Sequence, residues 1–552
     1  MKRYQKLLSL ALLGVVFMNV ANAQEKTYSW DHLPTSELPV FKKDTFNIVN
    51  YGARPDGITL NTKAINKAIS EASAKGGGVV LIPQGVWLSG PIILQNNVNL
   101  HAANAALIQF TDDKSQYALI EGNFEGRKSI RNQSPISGTN LSNIAITGSG
   151  IFDARGEIWR PVKKDKLTEG EWKTLLASGG IVNPDGKTWY PSAGYLKGER
   201  EPAATQYEEG KSLKDYESVK DFFRPNMLVL TNCRKILIQD ATFQNSAAWG
   251  IHPILCEQLT IDGIQVRNLP SAQNGDGLDM ESCAYVTVQN SVFDVGDDGI
   301  CVKSGKDEEG RARGKASKYI VIKNNTVYRA HGGFVIGSEM SGGAHDIFVS
   351  DCTFIGTDIG LRFKTARGRG GIVENIYIRN IGMHNVVHDA ILFDMYYFAK
   401  AQSLAETNGK VVIPAVDAGT PRFRKFYIRN IVCEGAGRAM LIRGLPEMSI
   451  EDIHLEDVSI RSRKGADIME ARNVSLINVT FKCDESSPLI NIENSSNITF
   501  NQLKAVNPMD VFFSINGDRS KAISIEKSDM SAAKTNAVFN YGATKSQFEI
   551  SR

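Results

Sequence analysis

The chain has no apolar run long enough to cross a bilayer. The one at its start, residues 7–20, falls short of the about 20 residues a spanning helix needs. Lys2, Arg3 and Lys6 precede that run, and the small-x-small triplet Ala21-Asn22-Ala23 follows it. This is the three-part pattern of an export signal over residues 1–23, with Gln24 first after cleavage. No cysteine follows Ala23, so a lipid attachment site is missing. The expectation is an exported protein, periplasmic or secreted, with no integral membrane segment once the signal is removed.

Excess charge of one sign is also lacking. The formal net charge is +3, and residues 1–23 hold three basic residues and no acidic one. The rest is therefore near neutral, without the concentrated basic surface of nucleic-acid binders, and no nucleic-acid partner is expected. Local cations can still meet an acidic ligand. Cysteines number seven, an odd count without metal-finger spacing. Cys233, Cys256 and Cys283 each lie three residues before a strand start, at Ile236, Leu259 and Val286. A stack of small buried thiols explains them better than a disulfide framework. No low-complexity linker divides residues 24–552, which read as one body with a polar, charged and aromatic insertion at 153–223.

What is present is a repeat. ILIQDATF at 236, LTIDGIQV at 259, VTVQNSVF at 286, IVIKNNTV at 320 and IFVSDCTF at 347 recur down the chain. IYIRNIGM at 376, FYIRNIVC at 426 and IHLEDVSI at 453 continue it, with weaker copies from Val474 and Ile498. Each alternates apolar and polar residues, as a strand with one buried face does. Most steps are 21–34 residues, the period of a solenoid. The 50-residue step from 376 to 426 must carry a loop, placed at 402–421. Without helical periodicity in the copies, the fold is an all-β, single-stranded parallel β-helix. Ala64, Ile65, Ala68, Ile69 and Ala72 have helical spacing, with Asn61 or Thr62 as N-cap, and glycines 76–78 end that helix. It reads as the N-terminal cap, with strands starting near Val79.

A second strand aligns across the central coils: Gly277–Met280, Gly299–Val302, Gly333–Ile336, Gly360–Phe363 and Ala390–Phe393. Its second and fourth positions are apolar and face the core, so the first and third face outward. This register sets Asp276 and Asp298 on adjacent coils, Asp297 beside Asp298, and His331 one coil beyond Asp297. Arg362 and Lys364 leave the same face two residues apart. Crowded carboxylates disfavour simultaneous ionisation, so one can hold a proton as general acid while another activates water. Glu281, Lys303 and Asp394 share the face, as groove lining or as a salt-bridge ladder. Trp249 is a sugar platform or a packed wall residue, and His252 lies one coil before Asp279.

These residues resemble the polygalacturonases, glycoside hydrolase family 28. Asn274-Gly275-Asp276-Gly277-Leu278-Asp279 is similar to the family's Asn-Thr-Asp-Gly-x-Asp, and Gly296-Asp297-Asp298-Gly299 to its Gly-Asp-Asp segment. Ala330-His331-Gly332-Gly333 resembles its Gly-His-Gly, and Arg362-Phe363-Lys364 its Arg-Ile-Lys. The resemblance covers roughly 45–500 and implies a right-handed, pectin-lyase-like β-helix. It also implies inverting hydrolysis of galacturonate-containing pectin, an acidic plant cell-wall polysaccharide. Asp297 would be the proton donor, Asp276 and Asp298 would hold the attacking water, and His331 would maintain the protonation network. Arg362 and Lys364 would grip a galacturonate carboxylate, and Tyr396 or Tyr397 would match a substrate-binding tyrosine. No metal or organic cofactor is implied. Gly275 in place of threonine, and Ala330 in place of glycine, leave the substrate subclass open. A rhamnogalacturonan or other substituted-pectin hydrolase is the alternative enzyme, a β-helix lyase a third, and a non-catalytic carbohydrate-binding β-helix the alternative of another class. Exo cleavage is expected, with 153–223 and 402–421 closing one end of the groove. Trp159, Trp172, Trp189 and Tyr190 would form a terminal sugar pocket, helped by Lys163, Lys164 and Lys166.

Overall fold

The computed structural model describes residues 27–551, so the segment expected to be an export signal lies outside the described residues. A short unit ends at Leu33 and contains an isolated antiparallel bridge between Ser29 and His32. The body begins at Pro34. In it, 37 strands join one hydrogen-bonded network whose pairings are parallel. Each coil stacks on the one before, and a parallel return of this kind winds right-handed.

The register is the one the repeat predicts. Leu278 lies beside Ile300, Ile300 beside Phe334, Phe334 beside Leu361 and Leu361 beside Ile391. These five side chains are fully buried, as are Met280, Val302, Ile336, Phe363 and Phe393 two residues on. Two columns of core residues thus run along the axis, and their burial is the main favourable term in the fold. The repeat copies form the neighbouring ladder, where Val286 lies beside Ile320, Ile320 beside Ile347 and Ile347 beside Ile376. After that ladder the chain turns through Asn290, Asn324, Asn380 and Asn430, all at positive φ. Asparagine tolerates that conformation better than most residues. Successive corners also bond: Asn430 Nδ2 donates to Asn380 Oδ1 at 2.8 Å. Cys233, Cys256 and Cys283 are free and buried in a row on consecutive coils, as expected.

The helix Thr62–Ala74 buries Ile65, Ala68, Ile69 and Ala72 against the first coils. Asn61 stands at its N-cap position but makes no side-chain cap; its amide instead donates to the carbonyls of Arg54, Thr59 and Leu88. Strands begin earlier than expected, at Thr45–Asn47 and Asp56–Leu60, which flank the helix and are too polar to stand out by alternation. The coils also continue past the last weak repeat copy, through Lys521–Glu526 to Phe548–Ser551.

Two excursions matter for the site. The insertion holds a three-stranded antiparallel sheet and the helices Glu169–Ala177, Ala193–Arg200 and Pro202–Thr205. Trp159, Trp172, Trp189 and Tyr190 are all buried. This corrects the sugar-pocket expectation for them: they pack the insertion and its seat, because an element outside the solenoid needs its own apolar contacts to stay folded. The second excursion lies among the early coils, outside the insertion. Leu119–Phe124 and Arg127–Asn132 form an antiparallel hairpin that leaves the early coils. Its tip docks on the loop after Asp298–Lys303. Glu125 pairs with Lys306 at 3.1 Å, the Lys306 amide donates to the Gly126 carbonyl at 3.1 Å, and Arg127 pairs with Asp307. Gly126 has φ +74°, and a Cβ there would stand 2.7 Å from the Lys306 nitrogen, so only glycine allows this approach.

Candidate active site

Parallel stacking sets Asp298 beside Gly332, and Asp276 one coil before Asp298. The short turns before these strands aim the acidic side chains outward. Oxygens of Asp276, Asp297 and Asp298 all lie within 4.8 Å of one another. Asp276 and Asp298 are buried; Asp297 is half-buried and meets His331, Nδ1 to Oδ1, at 3.1 Å. That hydrogen bond raises His331 above the ordinary imidazole value, although burial opposes it. Asp358 lies on the other side of the ring, 3.7 Å from Nε2.

The environments of the buried pair diverge. Burial, then the negative charges of Asp279 and Asp297, push Asp276 well above the usual carboxylate range. Its Oδ1 has no hydrogen-bond partner and is free to accept one. Burial would also raise Asp298, but the cations Lys364 and Arg362 outweigh it and hold it below that range. Arg362 donates to Asp298 Oδ1 at 2.9 Å and Lys364 to Oδ2 at 2.8 Å. The surroundings therefore drive the two buried carboxyls apart, Asp276 toward its protonated form and Asp298 toward its ionised form. This is the separation that acid–base chemistry needs.

The outward positions around the trio are not open. Asp279, Glu281 and Cys301 have no exposed surface, and Lys303 has little. The hairpin and the helix Asp307–Arg313 lie above them: Arg313 reaches Glu281 at 2.5 Å, and His252 meets Glu281 from the other side at 3.0 Å. Lys303 lies 2.9 Å from Asp279 and 3.9 Å from both Asp276 and Glu339. Gly337 makes room for it, since a Cβ there would come within 3.0 Å of Lys303 Cγ. The ladder reading of Glu281, Lys303 and Asp394 is the better one; Asp394 pairs with Arg443 at 2.7 Å.

Trp249 is 2 % exposed, with the Lys303 ammonium 3.6 Å above its ring and Phe124 of the hairpin against it. Its indole is thus covered, which corrects the sugar-platform reading in favour of the packed wall. Lys303 and Phe124 could not be seen as neighbours in the sequence, because the hairpin arrives from far away. The two tyrosines also separate. Tyr397 is partly exposed, with Lys364 at 4.9 Å and Arg362 at 5.8 Å from its ring. Tyr396 is buried away from the trio, against Arg367 and Arg443. Tyr397 is therefore the one beside the cations, and Tyr396 is corrected to a packing residue. On the opposite flank of the trio, a cavity of about 420 Å³ is lined by Asp297, His331, Gln273 and Asn274, and by Lys163 and Lys166 of the insertion.

One prediction arises from the cations. Lys364→Met removes the strongest of the cations that hold Asp298 down, so its folded value rises toward that of an ordinary carboxylate. The acidic limb of kcat/KM should move to higher pH by about 1–2 units, and kcat should fall on charged and neutral substrates alike. Lys364→Arg should keep the limb in place. A pH–rate profile of Lys364→Met superimposable on wild type would mean that Lys364 does not control Asp298.

Comparison with known proteins identifies a family for the chain. The family model for glycosyl hydrolases family 28 covers residues 166–474, and that for rhamnogalacturonase A/epimerase, pectate lyase-like, covers 45–168. A probable polygalacturonase of Vitis vinifera is 28 % identical over 424 residues, 75 % of this chain and 74 % of that protein. The exo-poly-α-D-galacturonosidase of Dickeya chrysanthemi is 27 % identical over 409 residues, 72 % of this chain and 64 % of that protein. Among solved structures, a hyperthermoactive exopolygalacturonase from Thermotoga maritima superimposes with a TM-score of 0.62 at 28 % identity, covering 85 % of this chain and 94 % of that one.

Proposed function

Because the chain belongs to glycosyl hydrolases family 28, we propose that it hydrolyses galacturonate-containing pectin from a chain end, with inversion. The observation that carries the reading is the carboxylate trio with His331 on Asp297 and both cations on Asp298. Asp297, the most accessible of the three, protonates the glycosidic oxygen. Asp276 and Asp298 accept hydrogen bonds from the water that attacks from the other side of the sugar. Arg362, Lys364 and Tyr397 receive the uronate. A non-catalytic binding protein has no use for neighbouring acids whose surroundings drive their proton affinities apart.

Inversion is supported by the occupancy of Asp298. Both of its oxygens are engaged by cations, which disfavours its attacking carbon as a nucleophile. The spacing alone argues the other way: oxygens within 4.8 Å are closer than the about 6.5–9.5 Å of most inverting pairs. Here two carboxylates, not one, hold the water, so the usual distance does not apply.

Exo action is supported by the hairpin 119–132, whose tip crosses the outward face and locks onto Lys306 and Asp307. A long polymer cannot continue over His252 and Trp249 beneath such a strap. This moves the principal closing element from the insertion to the hairpin. The test is one time course on polygalacturonate followed by NMR and viscometry. Expected are a single short product, a slow fall in viscosity, and a first-formed anomer opposite to that of the bond cleaved. A broad early ladder of oligomers would remove the exo reading; the retained anomer would remove inversion; a 4,5-unsaturated product would replace hydrolysis by elimination.

A further inference from the structure

The trio has cations on two sides, and only one side is accounted for. Arg362 and Lys364 stand over Asp298. Lys163 and Lys166 line the cavity that opens on Asp297 and His331. They come from a different part of the chain. Lys163 ends the short strand Val162–Lys163, paired antiparallel to Thr188–Tyr190, and Lys166 closes the turn Lys164–Lys166 that follows. Val162 pairs with Trp189, whose burial in the insertion holds this strand in place. Both lysines are exposed, and neither has an acidic partner among the described residues. Most lysines of this kind are merely solvated. These two differ in that they share a cavity with the groups assigned to proton transfer, in a chain that acts on a polyanion.

We propose that Lys163 and Lys166 receive the carboxylate of the uronate adjoining the one held by Arg362 and Lys364, so that efficient cleavage requires two successive free uronates. The inference rests on the polygalacturonate reading above and narrows it. In unesterified homogalacturonan every unit carries a carboxylate, so both cation pairs are satisfied across the scissile bond. In a backbone alternating uronate with neutral sugar, one pair faces hydroxyls and its charge attraction is lost. Gln273 and Asn274, on the same wall, supply neutral groups suited to sugar hydroxyls. The insertion thereby acts as a specificity element of the catalytic cavity, a use independent of whether the groove is closed.

The experiment compares wild type with Lys163→Gln/Lys166→Gln and Lys163→Arg/Lys166→Arg on polygalacturonate and on its extensively methyl-esterified form, at low and high NaCl. With the Gln pair, KM on polygalacturonate should rise about tenfold, in line with two exposed ionic contacts. Its kcat should stay within about twofold of wild type, and the salt dependence of KM should flatten. The Arg pair should behave as wild type. On the esterified substrate, wild type and the Gln pair should have equal KM. Unchanged KM and salt dependence in a folded Gln pair would overturn the proposal, as would an equal rise on both substrates. A wild type that cleaves an alternating uronate–neutral backbone as well as homogalacturonan would overturn it too. If wild type does not hydrolyse polygalacturonate at all, the parent reading fails with it, an outcome distinct from an active wild type insensitive to the two lysines.

Discussion

Asp297→Asn should lower turnover of natural oligogalacturonate by about 10²–10⁴ while leaving the fold intact. The half-buried side chain accepts from the Asp298 amide at 2.9 Å and meets His331 at 3.1 Å, and the Oδ1 of an asparagine can keep the first of these. An amide cannot protonate a departing sugar oxygen, so the loss should be largest for poor leaving groups and should shrink on a substrate with an activated one. The main competitor for the donor role is Asp276, whose carboxyl is pushed well above the usual range by burial and neighbouring negative charge. That shift does not by itself identify the donor. Access does: Asp276 is buried beneath the coil edge, whereas Asp297 opens on the cavity with His331. If Asp297→Asn retained near wild-type turnover on a poor leaving group, while Asp276→Asn failed there and recovered on an activated one, the donor would be Asp276.

Lys303→Met should have the largest effect on stability, about 3–5 kcal/mol, as expected when one partner of a buried ion pair is removed. Asp279 is fully buried, has the Lys303 ammonium at 2.9 Å and has no hydrogen-bond partner of good geometry. Burial raises Asp279 from 3.8 to about 6 even though Lys303 opposes the shift. A carboxyl with a higher value in the folded state binds protons more tightly when folded, so it subtracts stability as pH rises from about 4 to about 6. Without Lys303 the folded value climbs further and the loss extends to higher pH. Urea unfolding at several pH values should therefore show a gap between variant and wild type that widens from pH 5 to pH 8. Adding Asp279→Asn should recover most of it. A gap independent of pH, or no recovery in the double variant, would show that Lys303 acts through packing on Trp249 instead.

The residues assigned to chemistry were legible because a parallel coil converts sequence position into spatial register. Asp276, Asp297, Asp298 and His331 are spread over more than 50 residues, yet they fall at two adjacent phases of the coil, Asp276 in register with Asp298 and Asp297 with His331. Alternation fixed which side chains enter the core, and stacking at about 4.8 Å then brought the others together. Tyr396 and Tyr397 were not separable in this way, because they follow the strand Asp389–Asp394, where the repeat has ended and the phase is lost.

The amino-acid order by itself determined the solenoid, the cap helix, the thiol row and the acidic face, since all of these depend on short-range periodicity repeated many times. Tertiary structure alone decided what covers that face. The hairpin 119–132 has its own antiparallel pairing and meets residues about 180 positions away, such as Lys306 and Asp307. No period links those partners, so their meeting depends on how far each excursion projects from the coils. The same holds for the insertion, where the tryptophans went inward to build a local core and the lysines were left at the cavity beside Asp297 and His331. Periodicity constrains what lies within the coil; where an excursion lands is set by packing of the whole chain.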